Sequence, residues 1–167
     1  MAKSHTAIMV LSAICFLSLL DFAYGKSGLR VEGTVYCDTC RTQFMTRISE
    51  KMSGAKVRLE CRDRETENVT YTVEGDTTEG GRYSLHIEGD HEDEVCETVL
   101  VKSSRPDCDE VNKDAFTRRS ARISLTKNNG IHSQARMANP LGFMRKKPLP
   151  GCAEVLLELG IQPSRHY

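Results

Sequence analysis

The 167-residue chain has no tryptophan and only five tyrosines, five phenylalanines and five prolines. So few planar rings make a poor supply of stacking platforms for sugars. Lysine plus arginine and aspartate plus glutamate each number 23, for a formal net charge of zero. A neutral chain exerts no global pull on nucleic acid or an anionic membrane, so neither is an expected partner. No Gly-x-Ser-x-Gly elbow, phosphate loop or His-Glu-x-x-His motif occurs, and His86, His132 and His166 have no neighbouring nucleophile motif. They read as ordinary surface residues, and no catalytic residue is assigned. "CDTC", Cys37 to Cys40, has no second Cys-x-x-Cys and no paired histidines at finger spacing, which argues against zinc. No metal or cofactor is expected.

One apolar run is present, "AIMVLSAICFLSLL" from Ala7 to Leu20, and it is shorter than the roughly 18 residues a membrane helix needs. Lys3 precedes it, and Ala23 and Gly25 follow as small residues where a signal peptidase reads. Residues 1–25 are therefore expected to be a secretory signal peptide cleaved after Gly25, with no transmembrane segment remaining. Residues 26–167 suit a single domain able to bury a core. Secretion also sets the redox environment. Of the seven cysteines, Cys15 leaves with the signal, and the even number remaining (Cys37, Cys40, Cys61, Cys96, Cys108 and Cys152) reads as a disulfide framework. Spacing alone leaves every pairing open. A redox role for Cys37 and Cys40 is poorly supported, because a thioredoxin-type motif precedes a helix and the flanks here alternate like strands.

Period-two alternation marks seven candidate strands. They are "VEGTVYC" from Val31, "AKVRLEC" from Ala55, "VTYTVEG" from Val69, "GRYSLHIEG" from Gly81, "CETVLVKS" from Cys96, "SARISLT" from Ser120 and "AEVLLELG" from Ala153. The last is read as a closing strand although Ala, Glu and Leu also favour helix. Phe44, Ile48 and Met52 are spaced for one helical face, so residues 41–53 can hold a short helix. Seven short strands with little helix give an all-β expectation: an antiparallel sandwich or small barrel with long loops. Residues 127–150 are strand-poor and too long for an ordinary loop, which points to a functional or disordered segment tethered by Cys152.

"EGTVYCDTCR", Glu32 to Arg41, resembles the signature of the Ole e I family of secreted pollen proteins, Glu-Gly-x-Val-Tyr-Cys-Asp-Thr-Cys-Arg. The resemblance continues through "GAKVRLEC", "GRYSLHIEGDHEDEVCE", "LVKSSRPDC" and "NPLGF", nearly the whole of residues 26–167. It implies a seven-stranded β-barrel or sandwich with three disulfides, Cys37 with Cys108, Cys40 with Cys152 and Cys61 with Cys96. It also implies a non-catalytic extracellular protein of pollen and pollen tubes, a binding partner or modulator at the tube surface or wall. Its partner would be an extracellular protein such as a cell-surface receptor, or a wall component. The alternatives are a secreted inhibitor or carbohydrate-binding module, and, less favoured, a thiol oxidoreductase using Cys37 and Cys40.

Three surface features complete the reading. Asn68-Val69-Thr70 is an N-glycosylation sequon beside the charged turn "RDRETE". "EGDHEDE", Glu88 to Glu94, lacks EF-hand spacing and reads as a solvated acidic turn rather than a cation site. Between Lys127 and Pro150 there is no acidic residue, so Arg136, Arg145, Lys146 and Lys147 are candidate contacts for an acidic partner. The competing reading has Leu141 and Phe143 of "NPLGF" packing over the end of the fold while the charges stay solvated.

Cleavage after Gly25 makes Lys26 the first residue of the exported protein. N-terminal sequencing of material recovered from the medium checks this; Met1 or Ala2 there would refute it.

Overall fold

The computed structural model describes residues 28–111, 120–126, 130–131 and 133–161. The expected signal peptide over residues 1–25, His132 and His166 lie outside the described residues. The chain is built around β1 (Arg30–Asp38), a strand with partners on both edges. One edge pairs antiparallel with β5 (Arg82–His86) and, further along, with β2 (Glu50–Lys51). The other takes β8 (Ala135–Met137) and then β9 (Leu141–Met144), both parallel to β1. A second, wholly antiparallel sheet has the order β4 (Val69–Asp76), β3 (Lys56–Asp63), β6 (Glu94–Lys102), β7 (Ser120–Ile123). The two sheets form a sandwich-like, mostly β fold.

Alternation explains which faces meet. Val31 and Val35 of β1, Val57, Leu59 and Cys61 of β3, Tyr83 and Leu85 of β5, and Cys96 of β6 point between the sheets and are buried. Full burial of a valine or leucine side chain contributes about 1.5–3 kcal/mol, so this layer dominates the stabilisation. The outer face of β3 is charged instead. Glu60 accepts hydrogen bonds from Arg58 (2.6 Å) and Arg62 (2.8 Å). Burial pushes the Glu60 carboxyl up, but the two guanidinium groups outweigh it and hold it below the usual carboxylate range.

β1 is buried on alternate residues at its start and continuously from Val35 to Asp38. Two glycines let tyrosines cross it closely. Gly33 pairs with Tyr83 on β5, and a Cβ there would sit 2.5 Å from the ring carbon Cζ. Tyr36 pairs with Gly142 on β9, where a Cβ would meet the same ring atom at 2.7 Å. Each ring lies over a bare backbone, a cross-strand arrangement that seals the sheet where a side chain is missing.

The structure departs from the sequence expectations at three places. Residues 41–53 form no helix, because the buried carboxylate of Asp38 captures the chain first. It accepts from the backbone N–H of Cys40 (3.2 Å) and Gln43 (2.6 Å) and from the Thr42 hydroxyl (3.3 Å). Arg41 and Gln43 are held at φ of 57° and 63°, which no right-handed helix accommodates. "AEVLLELG" is not a closing strand: Cys152–Glu158 is a helix, α1, with Cys152, Val155 and Leu156 as its buried stripe. The spacing i, i+3, i+4 lets the helix bury what alternation would have split between two faces. Residues 127–150 contain two short strands, β8 and β9, so the wholly antiparallel expectation holds for the second sheet but not the first. The other six expected strands are present. Among the described residues no helix is long and apolar enough to cross a membrane.

Gly33→Ala should destabilise the fold by about 1–3 kcal/mol, the usual cost of overpacking a filled site, and lower the melting temperature by several degrees. Gly80→Ala, where nothing lies within 4 Å of an added Cβ, should leave it unchanged. Thermal melts of the two variants side by side check this; equal curves would mean that the Tyr83 ring is not held against β1.

Candidate functional site

Two disulfides meet at the C-terminal end of β1. Cys37 is bonded to Cys108 and Cys40 to Cys152, with Cα separations of 6.0 and 5.4 Å. Cys61 and Cys96 form the third, between directly paired residues of β3 and β6. These are the pairs that the family resemblance implied. The first two bonds span 71 and 112 residues, and closing loops of that length stabilises by about 4 kcal/mol each on the chain-entropy account. With Cys37 and Cys40 bonded to different partners, neither sulfur is available as a thiolate nucleophile.

The strap from Met144 to Leu149 closes over this end by backbone hydrogen bonds. The Arg145 N–H donates to the Asp38 carbonyl (3.0 Å), Lys146 to Asp107 (3.0 Å) and Leu149 to Thr39 (3.1 Å), while Met144 and Glu110 exchange bonds of 2.7 and 3.3 Å. The strap is thus paired with residues flanking Cys37, Cys40 and Cys108. Just before the strap, Leu141 and Phe143 of β9 are buried, as the packing reading expected.

The four candidate basic residues are not one cluster. Arg136 is a correction: only 5% exposed, its guanidinium donates to the carbonyls of Ser133 and Thr126 (2.9 Å to the latter). It clamps two chain segments and presents no charge to a partner. Arg145 faces Asp107 at 3.4 Å, and Lys146 faces Asp109 at 3.3 Å. Lys147 is exposed and has no ion pair among the described residues. The acids come from "RPDCDE", which Cys108 anchors beside the strap. The basic face expected from residues 127–150 is therefore a patchwork of both signs.

More charges join from β1 and its neighbours. Arg41 donates to Glu110 (2.5 Å) and to the Arg145 carbonyl (2.7 Å). Arg105 pairs with Asp107 (2.8 Å) and Glu50. The Arg105 hydrogen bonds, helped by the Arg145 charge, hold the Asp107 carboxyl below the usual carboxylate range. Arg47 reaches Glu158 on α1 through two bonds of 2.8 and 2.9 Å. Exposed pairs of this kind contribute about 0–1 kcal/mol each, so they pattern the surface more than they stabilise it. Sequence reasoning missed Asp107, Asp109 and Glu110 as neighbours of the strap. The signal was present: acids flanking Cys108 belong beside whatever Cys37 touches, once that pair is assigned.

Asn68 is exposed at the start of β4, the outermost strand of its sheet. The Thr70 hydroxyl donates to the Cys61 carbonyl (3.0 Å), which fixes the sequon against β3. The turn Glu88–Glu94 is more ordered than a solvated acidic turn. His91 is 8% exposed, its ring 4.4 Å from that of Tyr71, with Nδ1 at 2.7 Å from a Glu94 carboxylate oxygen and Nε2 at 2.9 Å from the Glu88 carbonyl. Glu94 also lies near the sulfurs of Cys61 and Cys96, but those are tied in a disulfide and offer no thiolate to a metal.

The profile of the family described as "Pollen protein Ole e 1 like" matches residues 27–160. The chain is 59% identical over 163 residues to an Olee1-like protein of Betula pendula, covering 98% of this chain and 97% of that protein. It is 48% identical over 158 residues to the anther-specific protein LAT52 of Solanum lycopersicum, covering 94% and 96%. The crystal structure of the major plantain pollen allergen Pla l 1 superposes with a TM-score of 0.67 at 43% identity, over 74% of this chain and 98% of that one. A shared fold, three disulfides and matches along almost the full length lead to one conclusion: the chain belongs to the Ole e 1-like family of pollen proteins.

Proposed function

We propose that this protein is a secreted, non-catalytic binding protein of pollen, a partner or modulator at the pollen-tube surface or wall. The observation that carries the reading is the end of β1, where two long-range disulfides and the backbone-paired strap present charged side chains of both signs from a rigid frame. Rigid display of charge suits recognition, because little conformational entropy is lost when a partner docks. Complementary charge then sets association rate and selectivity more than affinity. The relatives add the setting, since one is described as anther-specific and another as a major pollen allergen. The thiol oxidoreductase alternative loses its support, as Cys37 and Cys40 are each engaged elsewhere.

The partner fitting this surface is an extracellular protein, such as a receptor ectodomain, or a wall component carrying acidic groups. Lys147 is the charge most open to it. Lys146 can exchange Asp109 for a partner carboxylate at little cost, because both members of that pair are exposed.

The double substitution Lys146→Glu with Lys147→Glu should weaken capture of the protein by pollen-tube membranes and flatten its dependence on salt, with the melting temperature unchanged. Arg145 is left in place because its side chain is the less exposed (27% against 53% for Lys146), so reversing it beside Asp107 would be less screened by solvent than reversing Lys146 beside Asp109. Capture that is identical across a salt series would remove this surface from the interface.

Asn68 is proposed to carry an N-glycan, on the strength of its exposure and its place just before an outer strand, where a bulky polar group hinders edge-to-edge pairing. Treatment of plant-expressed protein with an N-glycan-removing enzyme should lower its mass. An Asn68→Gln variant should match the mass of the treated protein, and no change on treatment would refute occupancy.

A further inference from the structure

At the opposite end of β1 from the paired disulfides, a cleft of about 430 Å³ opens between the Glu88–Glu94 turn and the end of β7. The placement follows from the pairing: Arg30 at the start of β1 faces His86, and the chain then turns through Glu88–Glu94 into β6. Its lining is mixed, with apolar surface contributed by Val95, Ile123, Leu125 and the Cys96 half of the disulfide. Arg64, Arg122 and Ser124 supply donors at its rim.

The arginines set this cleft apart. Arg30, Arg41, Arg47, Arg58, Arg62, Arg105 and Arg145 each have a carboxylate within 4 Å. Of the four described arginines with no carboxylate among the described residues within 4 Å, Arg136 is buried on carbonyls and Arg82 lies on β5, outside the cleft lining. The other two, Arg64 and Arg122, both line this cleft. Arg64 makes only a long bond to the Glu92 carbonyl (3.3 Å), and both side chains are exposed. Arg122 lies across the strand pair from Glu97, whose carboxylate accepts from the Ser120 hydroxyl, so neither Arg122 nor Arg64 has a described carboxylate within 4 Å, and two such guanidinium groups beside apolar surface favour an anion. Of the acids present, the Glu94 carboxylate is engaged by the His91 ring, which leaves Glu92 as the opposing charge on the rim. The guanidinium groups repel a cation, and the nearby sulfurs are oxidised, so a metal does not fit.

We infer that this cleft binds a small organic carboxylate, its charged head on Arg64 and Arg122 and its apolar body on Val95, Ile123 and Leu125. The volume lies in the range of small-ligand sites, roughly 300–1,000 Å³. The site is independent of the charged surface around Lys146 and Lys147, so either assignment can fail without the other.

The test is a titration of the ¹⁵N-labelled, disulfide-bonded protein with hexanoate, followed by amide shifts. Saturable shifts confined to residues 91–96 and 122–125 are expected, with a dissociation constant of about 1 mM for so small a probe. Arg64→Gln and Arg122→Gln should each weaken binding about fivefold, and Arg82→Gln should leave it unchanged. Thermal melts of the same variants verify that they fold. Hexanol, lacking the charge, and galacturonate, lacking the apolar body, should both bind more weakly than hexanoate. Absence of saturable shifts up to about 10 mM, equal binding of hexanol or galacturonate, or indifference to both arginine substitutions would overturn the assignment.

Discussion

The structure depends on the capture of one end of β1. Cys37 lies near the end of that strand and Cys40 just past it, with two residues between them, and their bonds fix it to Cys108 and Cys152, chain positions that no local interaction would bring near. Asp38 lies between them, fully buried, and its carboxylate turns the chain sharply enough for the two sulfurs to leave in different directions. A charged group buried this deeply is tolerated because donors surround it. The strap carrying Arg145, Lys146 and Lys147 closes over the same point, so covalent bonds, a buried carboxylate and backbone pairing all act on a few residues.

This capture explains why the first sheet is mixed. After β7 the chain must return to Cys152 beside Cys40, and to do so it runs along the free edge of β1 in the same direction as β1 itself. β8 and β9 are therefore parallel to it. The chain meets the edge twice, with a break at Asn139-Pro140, where proline has no N–H to offer the ladder. Two short contacts serve where one long strand would need an unbroken set of donors.

The parts of the fold legible in the sequence are those whose signal is local. β1, β3, β4, β5, β6 and β7 announce themselves by alternation, because each has one face on the core and one face outward. β8 and β9 did not, since three or four residues carry too little pattern and their partner lies about a hundred positions away. α1 was ambiguous for a related reason: Val155, Leu156, Leu157 and Leu159 form a near-continuous apolar run, and only the partner surface decides which of them are buried. The helix expected at residues 41–53 failed because a single side chain, Asp38, outbids a weak apolar spacing. At the candidate site, the basic residues were visible but their exposure was not. Arg136 and Arg145 look alike in sequence, yet one is buried on carbonyls and the other faces Asp107.

The two ends of β1 are built to different electrostatic rules, and that difference bears on what each can recognise. At the disulfide end nearly every charge has a partner, so a ligand must exchange ion pairs already present; exposed pairs give way readily, and the outcome favours specificity over tight binding. At the other end the acid of Glu94 is bound to His91, while two guanidinium groups have no carboxylate within 4 Å among the described residues. A ligand there displaces water and the long Arg64 bond to the Glu92 carbonyl. The first arrangement suits a broad macromolecular contact read by its pattern of charge, the second a small anion read by one group. Both follow from the same constraint, because the strand that fixes one end with disulfides places the β5–β6 turn, and hence the cleft, at the other.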